Sequence, residues 1–167
     1  MYYLDVISML NKVGVRYIIV GGIALVLHGV VRLTADIDIM IDLTKDNIAK
    51  FIEVMEKLGF KPKMPIDPAG LYDPKIRKEW LDKKNMIAFS FVHPKDDYKI
   101  IDLLINEPIP FGGAYKNRRV IHAGKIPINV VSLSNLIKLK QRSAKEQDLK
   151  DIEMLKELNP NAKKQKK

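Results

Sequence analysis

The chain contains no cysteine. Disulfides and thiolate metal sites are therefore excluded, which fits a reducing compartment. Long apolar runs are also missing. The longest, from about Tyr17 to Leu27, is too short to span a bilayer and is broken by Gly21 and Gly22. The opening Met1-Tyr2-Tyr3-Leu4-Asp5 lacks a charged leader ahead of an apolar run, so no signal peptide is expected. These absences predict a soluble, cytoplasmic protein with no membrane partner. Aromatic residues make up only 7% of the chain and form no stacking motif of the kind RNA-binding modules use. No internal repeat and no break in composition marks a second domain.

What the chain does have is enough apolar material for a core. With 167 residues, 47% of them hydrophobic, it predicts one domain over 1–160. A basic tail, 161–167, is expected to be disordered. The net charge is +9, and setting aside the four tail lysines leaves about +5, read as spread over the body. That excess suits a polyanionic partner, nucleotide or RNA, and equally a plain soluble basic surface.

The apolar periodicity gives the elements. Leu4, Ile7, Leu10 and Val13 form a helix face stopped by Gly14. Tyr17–Val20 reads as a short buried strand, Gly21-Gly22 as a turn, and Ile23–His28 as a short helix ended by Gly29. Thr44 is the expected cap of a helix through Leu58. A short strand over Phe60–Met64 and a proline-rich loop follow, then a helix over Pro74–Lys83 with Pro74 in its first turn. Strands are predicted over Met86–Val92 and Tyr98–Ile105, and a hairpin over Arg119–His122 and Ile126–Val131. Two helices close the chain, one capped by Ser132 or Ser134 and running to about Arg142, the other over Lys145–Leu158. The class is α/β (α+β), a small mixed central sheet flanked by helices.

The chemistry centres on Asp36-Ile37-Asp38-Ile39-Met40-Ile41, which alternates with the period of a strand. Aspartate is a poor strand former, and side chains two apart point the same way. Two adjacent like charges raise each other's pKa unless a cation lies between them. A hard divalent ion such as Mg²⁺ (or Mn²⁺) is the natural cation for oxygen ligands. The alternative is salt bridges to lysines. Gly21-Gly22, between strand and helix, would leave bare backbone N–H groups for a phosphate, or simply make a tight turn. Asp102 interrupts Ile100-Ile101-Asp102-Leu103-Leu104-Ile105, a strand apolar on both faces and hence central. A charge there must pair with a cation or bind metal. Beside the Asp36 strand it would complete three carboxylates, a set suited to two metal ions and a triphosphate. Lys140 continues the apolar stripe of Leu133, Leu136 and Ile137 and should face inward, towards a phosphate or towards Asp148. His28, on an apolar helix, reads as a packed side chain.

The run Gly21-Gly22, thirteen residues, then Asp36-Ile37-Asp38 resembles the signature of the nucleotidyltransferase superfamily related to DNA polymerase β. Around it, Arg32-Leu33-Thr34-Ala35, and later Leu136–Lys140 with Lys145–Ile152, are similar to minimal nucleotidyltransferases and to abortive-infection-type nucleotidyltransferase toxins. Those relatives usually carry Arg where Lys145 stands, and Lys lacks its fork of donors. The middle, Lys61 to Lys125, matches weakly. The resemblance implies a nucleotidyltransferase fold and transfer of an NMP from an NTP to a hydroxyl acceptor: RNA, tRNA, protein or small molecule. On that reading Gly21 and Gly22 hold the triphosphate, with Lys140, Arg32 and Thr34 in support. Asp36, Asp38 and Asp102 bind the metals, and Asp102 also helps deprotonate the acceptor. An antitoxin-like protein partner, and a catalytically silent binder on the same fold, are the further readings it admits.

Overall fold

A computed structural model describes residues 2–161 of the chain. The basic tail expected at the C-terminus lies, apart from Asn161, outside the described residues. Helix α1, Tyr2–Val13, buries Val6, Ile7 and Leu10 and is followed by Gly14 at φ 77°. Strand β1, Tyr17–Val20, is buried at all four positions, as a strand covered on both faces must be. Helix α2, Gly21–Leu27, begins on the two glycines themselves, so they are its first residues and not a separate turn. Strand β2 is Ile37–Ile41 and helix α3 Lys45–Lys57. Thr44 stands at the cap of α3, but its side chain makes no capping bond. The buried Asn47 ties α3 to the sheet instead, accepting from Arg16 N at 2.8 Å and donating to Asp42 O at 2.9 Å.

The middle of the chain departs most from the expected pattern. Strand β3 is only Lys61–Pro62, and a 3₁₀ turn follows at Pro68–Tyr72. Helix α4, Pro74–Lys84, starts with Pro74 at its N-terminus, and Asp73 caps it by accepting from Lys75 N at 2.8 Å. Strands β4, Ala88–His93, and β5, Asp96–Leu104, form a hairpin. A short helix that the periodicity does not reveal, α5, spans Phe111–Lys116. Its six residues are too few to show a stripe. Phe111 and Tyr115 stack at 5.4 Å, with the Arg16 guanidinium 4.9 Å from the Tyr115 ring centroid. Strands β6, Arg119–Ala123, and β7, Ile126–Val130, make the second hairpin. Helix α6, Leu133–Ser143, is capped by Ser132, whose Oγ accepts from Asn135 N, and α7 spans Glu146–Leu158.

One seven-stranded sheet joins all the strands, in the order β3-β4-β5-β2-β1-β7-β6. It is mixed: β2 runs parallel to β5 and β7 parallel to β1, while the other neighbours are antiparallel. The expected central place of the Asp102 strand holds, since β5 lies between β4 and β2. Helices α1 and α3 contact each other, as do α6 and α7. The core is one cluster built on Tyr17, Ile19, Ile39, Phe51 and Phe91, with Leu136 and Leu155 from the last two helices. Among the described residues no helix is long and apolar enough to cross a membrane.

Candidate active site

Strand register assembles the site. The antiparallel β1–β2 pair sets Val20 opposite Asp38, which brings the start of α2 beside the carboxylate. Gly21 has φ 63°, and a Cβ built on it would lie 1.9 Å from Asp38 Oδ2. Only glycine fits there, on both backbone and steric grounds. A Cβ on Gly22 would lie 2.6 Å from Thr34 Oγ1. The double glycine is thus a contact surface for Asp38 and Thr34 as well as a change of direction. The Gly22 N–H is near enough to the Asp38 carboxylate to favour its charged form.

The parallel β2–β5 pair then sets Asp38 directly against Asp102. Neighbouring strands lie about 4.8 Å apart, so the two carboxylates share one edge of space. Burial pushes the Asp38 carboxyl up to about 6, and the charges of Asp102 and Asp36 push the same way, against the Gly22 N–H and the Lys140 ammonium. Asp36 stands just before β2. It too is raised, by desolvation and by Asp102, while Lys63 pulls it down.

Asp102 has a neutral side-chain partner. Ser90, opposite Asp102 on β4, donates from Oγ to Asp102 Oδ1 at 2.5 Å. Lys63 N donates to Ser90 O at 2.9 Å, which carries that lysine to the Asp36 side. Tyr2 Oη reaches Ala35 O at 2.5 Å and Ile100 O at 3.2 Å, stitching the approach to β2 onto the middle of β5. Burial raises its hydroxyl to about 12, and the charges of Asp36 and Asp102 add to that. With Asp102 turned to Ser90, the three aspartates do not form a ready-made cage. Among the described residues no three acidic or imidazole side chains are gathered to hold a metal ion. Their shared electrostatics and all-oxygen chemistry nevertheless fit a hard cation.

Of the two outlets open to Lys140, the structure shows the ion pair. Its Nζ lies 2.8 Å from Asp148 Oδ1 and 2.9 Å from Asp151 Oδ2. Asp151 is fully buried, and it also accepts from Arg32 and from Gln147 Nε2. Both acids are held below the usual carboxylate range: desolvation opposes this, and the hydrogen bonds and charge of Lys140, joined by their other donors, together outweigh it. Arg32 and Lys140 therefore stand together on the acids of α7, with Lys140 close enough to lower Asp38. His28 is a packed side chain, its Nε2 bonded to Val131 O at 2.8 Å. A cavity of about 430 Å³ at the other end of β2 and β5, lined in part by Asp42, Arg77 and Asn106, contains none of these residues.

Sequence reasoning missed Ser90, Tyr2, Lys63 and Asp151. Only Asp151 left a clear signal: with Asp148, Ile152 and Leu155 it completes an i, i+3, i+4, i+7 stripe.

Comparison with known proteins supports the same fold. The lincosamide antibiotic adenylyltransferase LnuA, solved bound to lincomycin, is 21% identical and superposes with a TM-score of 0.58 over 95% of this chain and 94% of that one. ANT(2'')-Ia, solved in complex with adenylyl-2''-tobramycin, is 14% identical with a TM-score of 0.62 over 98% and 92%. An antigenic nucleotidyltransferase-like protein from Paracoccidioides brasiliensis is 16% identical, with a TM-score of 0.56 over 93% and 73%. No curated protein matches by sequence. A family model described as "Nucleotidyltransferase of unknown function (DUF6036)" matches residues 5–159, and the chain belongs to that nucleotidyltransferase family.

Proposed function

We propose that this chain transfers a nucleoside monophosphate from an NTP to a hydroxyl acceptor, and that residues 1–160 carry the whole site as one domain. The observation that carries the reading is the state of Asp38. It is wedged against Gly21, in register with Asp102, and raised to about 6. A carboxylate held at such a disadvantage is stabilised by any cation that binds between it and its neighbours.

Asp36, Asp38 and Asp102 would supply the oxygens for Mg²⁺ or Mn²⁺. Bound there, the ion would neutralise charge on the triphosphate and on the attacking and leaving oxygens. The rest belongs to the chain. The Gly22 N–H, beside Asp38, is a donor that a phosphate oxygen can take, and Thr34 Oγ1 stands close to it. Ser90 holds Asp102 Oδ1, which leaves Oδ2 to receive the acceptor's proton. The acceptor oxygen then bonds to the α-phosphorus as the bond to pyrophosphate breaks. Lys140 and Arg32, kept in place by Asp148 and Asp151, face the charge that develops on the leaving group.

Two solved neighbours carry lincomycin and adenylyl-2''-tobramycin, which supports a hydroxyl acceptor on this fold. The test is pyrophosphate release from each of the four NTPs with Mg²⁺ or Mn²⁺, offered total tRNA, protein and small-molecule hydroxyl pools in turn. Metal-dependent release with one pool, lost in Asp102→Asn, supports the reading. No release with any pool, together with no metal-dependent NTP binding, overturns it.

A further inference from the structure

The positive charge of this protein is not spread over its body. From residue 108 to 145 the chain carries eight Lys+Arg and no Asp or Glu. Outside that stretch and the four C-terminal lysines, it carries 17 Lys+Arg against 20 Asp+Glu. The acid-free stretch builds α5, the β6–β7 hairpin and α6.

Its cations also have no acid on their own elements to pair with. Elsewhere on the surface, several lysines pair with acids on their own element: Lys50 with Asp46, Lys57 with Glu53, Lys78 with Asp82, Lys83 with Glu79. Other exposed ones, Lys12, Lys61 and Lys84 among them, have no ion pair among the described residues but lie in stretches that also carry acids. In the acid-free stretch, Lys116, Arg119, Lys125, Lys138, Arg142 and Lys145 are all exposed. None of them has an ion-pair partner among the described residues.

The fold joins these cations to the active site. Strand β6 is one edge of the sheet, and Arg119 sits opposite Val130, which in turn pairs with Ile19 just before the double glycine. Its charge is felt by His28, which bonds the carbonyl of Val131 at the β7–α6 junction. Helix α6 starts there, with Lys138 and Arg142 one turn apart on its exposed side. Lys140, between them, turns inward to the Asp38 side.

We propose that the β6–α6 side of the molecule docks the phosphodiester backbone of a polynucleotide. Exposed cations without partners favour phosphates. A protein partner would need an apolar or aromatic centre to its interface, and a membrane would need apolar side chains to insert. Val120 is the only large apolar side chain exposed in this stretch. Resting on the proposed nucleotidyl transfer, the surface names the acceptor class: a strand whose backbone lies on β6 and α6 brings a sugar hydroxyl to Asp102.

The test is binding of a labelled single-stranded RNA of roughly 20 nucleotides, in the absence of NTP and divalent metal, across about 50 to 200 mM salt. With about five phosphate contacts, the slope of log affinity against log salt should be about −3.5, a loss of roughly 100-fold over that range. The variant Lys116→Gln/Arg119→Gln/Lys138→Gln/Arg142→Gln should flatten the slope and lose most of the affinity at low salt. A control, Lys50→Gln/Lys57→Gln/Lys78→Gln/Lys83→Gln, removes the same charge from other faces and should bind RNA as the parent does. Equal losses in both variants would mean that net charge alone acts, and would overturn the proposal. So would equal affinity and slope for a poly-glutamate peptide of similar length, or for anionic vesicles. Docking is read without nucleotide, so its failure leaves nucleotidyl transfer standing. Intact docking with no transfer in any pool would fail the transfer reading alone.

Discussion

Replacing Lys140 with Met separates the two tasks assigned to this residue. Methionine keeps most of the stem, which packs along α6, and removes only the ammonium. The Lys140 side chain is 11% exposed, Asp148 10% and Asp151 fully buried, so the charges meet with little water. Removing one partner of such a cluster strands the others and costs about 3–5 kcal/mol. Asp151 would keep Arg32 and Gln147, and Asp148 would keep the Lys145 N–H. The lower end, about 3 kcal/mol, is therefore expected in urea unfolding without ligand. For a chain of this size that is roughly 6–12 °C in melting temperature. Asp148→Asn added to Lys140→Met should recover much of the loss. Separately, the proposed phosphate role predicts that Mg·NTP binding to the folded Met variant weakens by about 1.5–3 kcal/mol. An apo-state loss below about 1 kcal/mol, with no rescue by Asp148→Asn, would refute the reasoning that this cluster ties the last two helices together.

Three other outcomes follow from the geometry. Gly21→Ala puts a methyl 1.9 Å from Asp38 Oδ2 at a positive φ, so it should lower both the melting temperature and NTP binding, whereas Gly14→Ala, with open space around it, should cost only backbone strain. Asp38 gains protons on folding because its folded pKa lies above its unfolded one. Below about pH 4 it is protonated in both states and contributes nothing. From about pH 4 to pH 6 it progressively destabilises the fold, and by pH 7 it costs about 3 kcal/mol. The apo stability of Asp38→Asn relative to the parent should therefore rise across that window in urea titrations; a flat difference would show that Asp38 is not strained. Ser90→Ala should leave the melting temperature within a few degrees and lower kcat with little change in KM, because Ser90 acts only through Asp102; unchanged turnover would remove Ser90 from the site.

The two hairpins and the carboxylate strands show what the sequence made legible. The period of two around Asp36 and Asp38, the doubly apolar strand around Asp102 and the helix stripes all came from local patterns, and their elements lie close to where those patterns place them. Ser90 could not be found that way. The β4–β5 hairpin pairs His93 with Asp96, and a bulge between Val92 and His93 then shifts the register so that Ser90, not Ile87, meets Asp102. A bulge leaves no periodic trace. Tyr2 was equally hidden, since its hydroxyl bonds backbone carbonyls 33 and 98 residues away. Lys140 shows the limit from the other side. The stripe correctly turned it inward towards Asp148, but the second acid and Arg32 arrive from tertiary packing.

The central claim is that Asp38 and its neighbours bind a nucleotide through a divalent cation. Calorimetric titration of each NTP into the parent and into Asp38→Asn, with Mg²⁺ and again with EDTA, tests it most directly. The account predicts binding of at least one NTP to the parent that requires Mg²⁺ and disappears in Asp38→Asn, while that variant melts no lower than the parent. Equal Mg·NTP affinity in the two proteins, or parent affinity indifferent to EDTA, would contradict it.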